Sequence, residues 1–134
     1  MIKKTFTYTD YNDNVRTEEH YFNLSRAEVI EMELSTVGGL VEMMQRIINA
    51  QDSPAIVKVI KELIAKSYGV KSPDGKRFMK EKPDGSRYFD EFYETEAYSM
   101  LFEELTTNAD AAAKFFNGII PKAPEDKKPA LTVQ

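Results

Sequence analysis

The chain has 134 residues and 15.3 kDa, with 18 basic and 22 acidic residues, a formal charge of −4 and a pI near 5.1. Apolar types make up 42% and charged types 30%, the mix of one folded domain rather than a disordered chain. The absence of cysteine excludes disulfides, thiolate metal centres and cysteine nucleophiles, and the longest charge-free run, Leu34 to Val41, falls far short of the ~20 residues of a membrane span. Met1-Ile-Lys-Lys-Thr-Phe6 lacks the apolar run of a signal peptide, so the expectation is a soluble intracellular protein.

In chain order, Thr5-Phe-Thr-Tyr-Thr9 and Thr17-Glu-Glu-His-Tyr-Phe22 are β-branched and aromatic runs with rough period-two alternation. Asp10-Tyr-Asn-Asp-Asn14 between them is built of residues that bond their own main chain in turns. Residues 1–24 therefore read as a β-hairpin, which is too marginal alone and must lie on something. Helices follow. Ser25-Arg-Ala-Glu28 is a capping-box pattern opening Ala27–Leu34, with Val29, Ile30 and Leu34 as the expected buried positions. Gly38-Gly39 breaks that run. Leu40–Gln51 then places Leu40, Met44, Ile47 and Ile48 on one stripe, with Glu42 and Arg46 paired outside. Ser53-Pro54 predicts an N-cap followed by proline at the first helical position. The helix it starts runs to about Tyr68, burying Ile56, Ile60, Leu63 and Ile64, with Gly69 as its stop.

Ser72-Pro-Asp-Gly-Lys-Arg-Phe78 is echoed by Lys82-Pro-Asp-Gly-Ser-Arg-Tyr88, so the chain reverses twice, with a short strand expected at Arg77–Lys80. Helical signal resumes near Arg87 with Phe89, Phe92 and Tyr93. Thr95 caps Glu96–Leu105, whose stripe is Tyr98, Leu101, Phe102 and Leu105. Asn108 caps Ala109–Asn117, with Phe115 and Phe116 inward and Gly118 ending it. After Pro121 the composition turns proline-rich and aperiodic, which reads as a disordered tail. The expected fold is mainly α with a small N-terminal β-hairpin, an α+β chain: a compact bundle of about five helices plus that tail. Its single domain spans 1–121 (hairpin 1–24, helices 25–69, double loop 70–87, helices 88–118), with a flexible tail at 122–134.

Reactive constellations are missing. His20 is the only histidine and stands beside Glu19 in a predicted strand, with neither nucleophile nor pocket in view. Asp10-x-Asn12-x-Asn14 imitates the start of a calcium loop, but Val15 stands where that loop needs glycine and Tyr21 where it needs glutamate. The adjacent acids Glu18-Glu19 and Glu103-Glu104 diverge on strand and helix alike. Lys76 to Arg87 is the one basic stretch, with five bases against Glu81 and Asp84, a small surplus for a nucleic-acid binder. A helix-turn-helix over Ser25–Ala50 fails because Arg46 is the only base in its second helix. No cofactor is implied, and what remains is an interaction protein rich in phenylalanine, tyrosine and methionine.

Several ordered segments resemble the tail assembly chaperones of long-tailed, siphophage-type bacteriophages of Gram-positive hosts. They are Phe22-Asn-Leu-Ser25, Met32-Glu-Leu-Ser35, Gly38-Gly-Leu40 and Lys66-Ser-Tyr-Gly-Val-Lys-Ser-Pro-Asp-Gly75, then Thr95-Glu-Ala-Tyr98, Leu101-Phe-Glu-Glu-Leu105, Asp110-Ala-Ala-Ala-Lys-Phe115 and Asn117-Gly-Ile-Ile-Pro121. Together they are spread over roughly residues 5–121. The family pattern has one Ser-Pro-Asp-Gly turn followed by an acidic segment, whereas Lys82-Pro-Asp-Gly85 supplies a second turn here. The resemblance implies a non-catalytic, mostly helical protein of the infected or lysogenic host's cytoplasm. It would bind the tape measure protein, keep it soluble, help recruit major tail tube subunits and leave before the virion is complete. It also implies a homo-oligomer and a longer form made by ribosomal frameshifting near the stretch after Pro121.

A helical client would lay its apolar stripe between helices. Helical spacing alone, and no family motif, nominates Met43, Met44, Phe89, Phe92, Tyr93, Tyr98 and Phe102 as contact residues. Two alternatives stay open: a structural tail or connector component of the virion, and a small nucleic-acid-binding regulator acting through Lys76–Arg87.

Overall fold

Asp10 turns the chain. In the computed structural model, which describes residues 1–49 and 54–121, its carboxylate accepts from the backbone N–H groups of Asn12 and Asn14, both at 2.9 Å, and from Arg16 Nε at 2.7 Å. These bonds close a hairpin of β1 (Ile2–Thr9) and β2 (Val15–Phe22), whose register runs unbroken from Ile2 opposite Phe22 to Thr9 opposite Val15. Alternation then does its work: Phe6 and Phe22 go into the core while Lys3, Thr5, Thr7 and Thr9 face water.

Three helices follow: α1 (Arg26–Ser35), α2 (Gly39–Asn49) and α3 (Ala55–Ser67). The capping box forms as expected, with Glu28 N–H donating to Ser25 Oγ at 3.1 Å and Ser25 N–H donating to Glu28 Oε1 at 2.8 Å. The buried set predicted for α3 is buried in full. The N-cap expected at Ser53 lies outside the described residues, as does the tail at 122–134.

Two strands extend the hairpin. Residues Tyr68–Lys71 form β3, in place of a helix end with Gly69 as its stop, and Phe78–Met79 form β4 within the strand expected at Arg77–Lys80. The sheet is antiparallel throughout, in the order β1-β2-β3-β4. Gly69 faces Tyr21 across the sheet, and a methyl group there would lie 2.5 Å from the Phe78 ring, so its glycine serves close packing rather than helix termination. The repeated Pro-Asp-Gly turns share their inner bond, Gly75 N–H to the Ser72 carbonyl and Gly85 N–H to the Lys82 carbonyl, both at 2.9 Å, and differ in the outer one. Ser72 and Lys82 N–H each close the turn onto a carbonyl, of Arg77 at 2.8 Å and of Ser86 at 2.7 Å, and the second turn frames the isolated bridge between Glu81 and Arg87.

The chain finishes with α4 (Tyr88–Tyr93), α5 (Glu96–Thr107) and α6 (Ala109–Ile119). Thr95 and Asn108 cap the last two as read from the sequence. Gly118 does not end α6; it sits inside it, where a Cβ would fall 2.5 Å from Ile2 Cδ1, letting the helix approach β1. Among the described residues the result is an α+β fold of six helices and one sheet, with Phe22, Leu24, Ile47, Ile60, Leu101 and Ile119 sealed at its centre.

Candidate partner interface

The apolar residues of α1 do not share one stripe. At about 100° per residue, Val29 and Met32 fall on one side while Ile30 and Leu34 fall on the other. Met32 is buried and Val29 packs partly against the core, so the expectation of buried Ile30 and Leu34 is corrected: the first is exposed and the second is 82% exposed. The core accepts one side of the helix only. Further apolar side chains stay exposed after α1: Val37 in the turn at 85%, and Val41 at 75% and Ile48 on α2.

That turn is rigidly built. Thr36 N–H donates to the Met32 carbonyl at 3.0 Å and Gly39 N–H to the Thr36 carbonyl at 2.9 Å. Gly38 and Gly39 take φ of +80° and +74°, backbone that side chains rarely adopt. The Glu33 carboxylate caps α2 by accepting from Leu40 N–H at 2.9 Å, and Arg46, paired with Glu42, donates to the Val37 carbonyl at 3.3 Å. Val37 is therefore a fixed apolar knob. Beside it opens a groove of about 290 Å³ between α2 and α6, lined by Leu40, Val41, Met44, Gln45, Phe116, Asn117 and Ile120. Glu31, Glu33 and Glu42 are exposed acids of α1 and α2, of which Glu33 accepts from Leu40 N–H and Glu42 pairs with Arg46.

The residues nominated from helical spacing separate into two places. Met43 and Met44, neighbours in sequence, enter different clefts: Met43 joins Met32, Val59 and Leu63 between α1, α2 and α3, and Met44 lines the α2–α6 groove. Phe89, Phe92, Tyr93, Tyr98 and Phe102 come together elsewhere as one aromatic cluster. Within it Phe89, Phe92 and Tyr98 are buried, Phe102 is half-buried and Tyr93 is exposed, under the ammonium of Lys61 at 4.4 Å. Leu34, Val37 and Val41, all exposed, are not among the residues nominated from spacing. The signal was available in the two-sided distribution of apolar residues on α1.

A polar chain crosses the aromatic cluster. Tyr8 donates to Glu18 Oε1 at 2.8 Å, His20 Nε2 lies 3.1 Å from the same oxygen, and His20 Nδ1 lies 2.9 Å from the Tyr68 hydroxyl. A carboxylate only accepts, so Nε2 carries a proton toward Glu18. The histidine's partner is Glu18, two residues away on the same strand face, and not Glu19. Partial burial acts to raise the Glu18 pKa, yet the bonds from Tyr8 and His20 outweigh it and hold the carboxyl below its usual range. Burial, reinforced by the charges of Glu18 and Glu91, pushes Tyr68 up to about 12. The chain joins β1, β2 and β3.

Three of the five bases in Lys76–Arg87 are occupied. Lys80 pairs with Glu28 at 2.7 Å and also donates to the Lys66 carbonyl, Lys82 pairs with Glu91, and Arg87 pairs with Asp90 at 3.1 Å. Among the described residues no three metal-ligating side chains converge, and no helix is long and apolar enough to cross a membrane.

A family model described as phage tail assembly chaperone covers residues 1–128. No curated protein and no solved structure matches the chain.

Proposed function

This chain belongs to the phage tail assembly chaperone family, and we propose that it performs that role by holding the tape measure protein through the apolar ridge of α1, the following turn and α2. The observation that carries this reading is the exposure of Leu34 in α1, Val37 in the turn and Val41 in α2, the last of which also lines the α2–α6 groove. An amphipathic client helix would seat residues spaced i, i+3, i+4 and i+7 along the ridge and in the groove, and the exposed acids Glu31, Glu33 and Glu42 would favour clients with basic flanks. Met43 and Met44, flexible and half-buried, would repack around such a helix. Tyr93 and Phe102 offer a second, smaller apolar surface, to which Phe89, Phe92 and Tyr98 contribute as the packing beneath it.

In this reading the protein makes and breaks no covalent bond. It acts in the host cytoplasm, keeps the client soluble, helps recruit tail tube subunits, associates with copies of itself and with a longer frameshifted form, and is absent from the finished particle. The decisive experiment is co-expression with the phage's tape measure protein: the client is expected in the soluble fraction and co-purifying with this chain. A client that stays insoluble, or a chain found at stoichiometric level in purified virions by mass spectrometry, overturns the reading.

A further inference from the structure

The sheet has two edges, and the chain treats them differently. At one edge β4 is two residues long and closed in by the two Pro-Asp-Gly turns, the usual way of blunting an edge. At the other, β1 runs eight residues without proline, glycine or bulge in its ladder with β2. None of its residues makes a backbone hydrogen bond to any element but β2 among the described residues. The helices hold it by its face instead: Lys4 pairs with Glu104 of α5 at 3.0 Å, and Ile2 packs on Gly118 of α6. A row of backbone donors and acceptors on the far side is left for another strand.

We propose that the open edge of β1 is the docking strand for a second copy of this chain, the two β1 strands pairing antiparallel about Phe6 so that the sheets fuse. This rests on the self-association included in the reading above and assigns it an interface. The occupant is argued from the strand's own pattern. Antiparallel pairing centred on Phe6 brings Thr5 opposite Thr7, Lys3 opposite Thr9 and Lys4 opposite Tyr8 of the other copy, with solvent faces and core faces in agreement. Thr5 opposite Thr7 repeats a contact that Thr7 already makes within the hairpin, where its hydroxyl lies 3.0 Å from that of Thr17. Phe6 stands opposite its copy without side-chain contact, since its ring is committed to its own core. No lysine faces a lysine. A parallel, in-register pair would stack Lys3 and Lys4 on their own copies, and like charges directly opposite are unfavourable. The antiparallel arrangement also closes on itself as a two-fold dimer rather than propagating.

The lack of native cysteine makes a register-specific test possible. Thr5→Cys and Thr7→Cys are prepared separately, both at exposed positions, one carrying a size tag. Mild oxidation of the mixture is expected to give the mixed disulfide dimer, and each variant oxidised alone is expected to give at least tenfold less cross-linked product. Sedimentation velocity of the unaltered chain is expected to show dimer, weakened at least tenfold by T5K/T7K and restored by T5K/T7E, with the same melting temperature in all three. A chain that stays monomeric overturns both this interface and the self-association. Oligomers that survive T5K/T7K, or that yield no mixed disulfide, overturn the β1 interface while leaving self-association standing.

Discussion

The ring of Tyr68 lies flat on the ring of Phe92, centroids 4.5 Å apart and planes within 12°. Through that stack β3 is bonded to α4, and Phe92 also touches Phe6, His20, Phe22 and Tyr98. Phe92→Ala is expected to cost about 3–5 kcal/mol, read as a lower urea midpoint at unchanged slope. Wild-type stability in that variant would remove Phe92 from the core.

The tyrosines give an alkaline limit. Burial, foremost, pushes Tyr8, Tyr68 and Tyr98 up to about 12 from an ordinary 10.0. A raised folded pKa stabilises the fold fully below the unfolded value and loses that contribution as pH climbs through the folded one. Stability is therefore expected to hold to about pH 10 and to fall between about 10 and 12. Tyrosinate absorbance at 295 nm should rise in two phases, the later one coincident with loss of the helical circular dichroism signal; a single phase near 10 contradicts this. Glu18 has the opposite sign: held below its ordinary 4.5, it contributes above that value and is lost as acidification passes its lower folded pKa.

Gly118→Ala pits two effects against each other. Alanine raises helix propensity by up to about 1 kcal/mol, but its methyl would sit 2.5 Å from Ile2 Cδ1 and 2.6 Å from Cγ1. The clash is expected to win, with a net loss of about 1–3 kcal/mol. Thermal melts of Gly118→Ala, Ile2→Ala and the double variant check it, because removing the Ile2 branch should relieve the strain and make the pair less damaging than the sum.

Val37→Ser with Val41→Ser separates surface from core. Both side chains face water, so stability is expected to change by less than about 0.5 kcal/mol each, while client retention in co-expression falls at least tenfold. Ile47→Ala, at a sealed position, should do the reverse and cost about 2–5 kcal/mol. Client retention unchanged in the double serine variant would move the contact surface away from the α1–α2 turn.

Local chemistry made much of this fold readable before any coordinates. The Ser25 box, the Thr95 and Asn108 caps, the Asp10 turn and the α3 stripe are decided within a few residues, and each lies where the sequence put it. Tyr68–Lys71 was not readable, because its strand state comes from pairing with Tyr21 and Phe22, nearly fifty residues earlier, and from Phe78 and Met79 after the loop. Gly69 and Gly118 misled for a related reason. Both look like helix stops, and both are places where another side chain comes too close for a Cβ. At the candidate interface, the aromatic residues nominated from helical spacing are mostly core, whereas Val37 and Val41 remain in water.

The last turn of α6 is fastened twice, by Leu24 N–H donating to the Ile119 carbonyl at 2.8 Å and by Ile2 seated on Gly118. These two contacts hold Ile120 on the wall of the α2–α6 groove. The shape of the α2–α6 groove is thereby tied to the N-terminal hairpin: loosening Ile2 from α6 would shift the wall that Ile120 supplies.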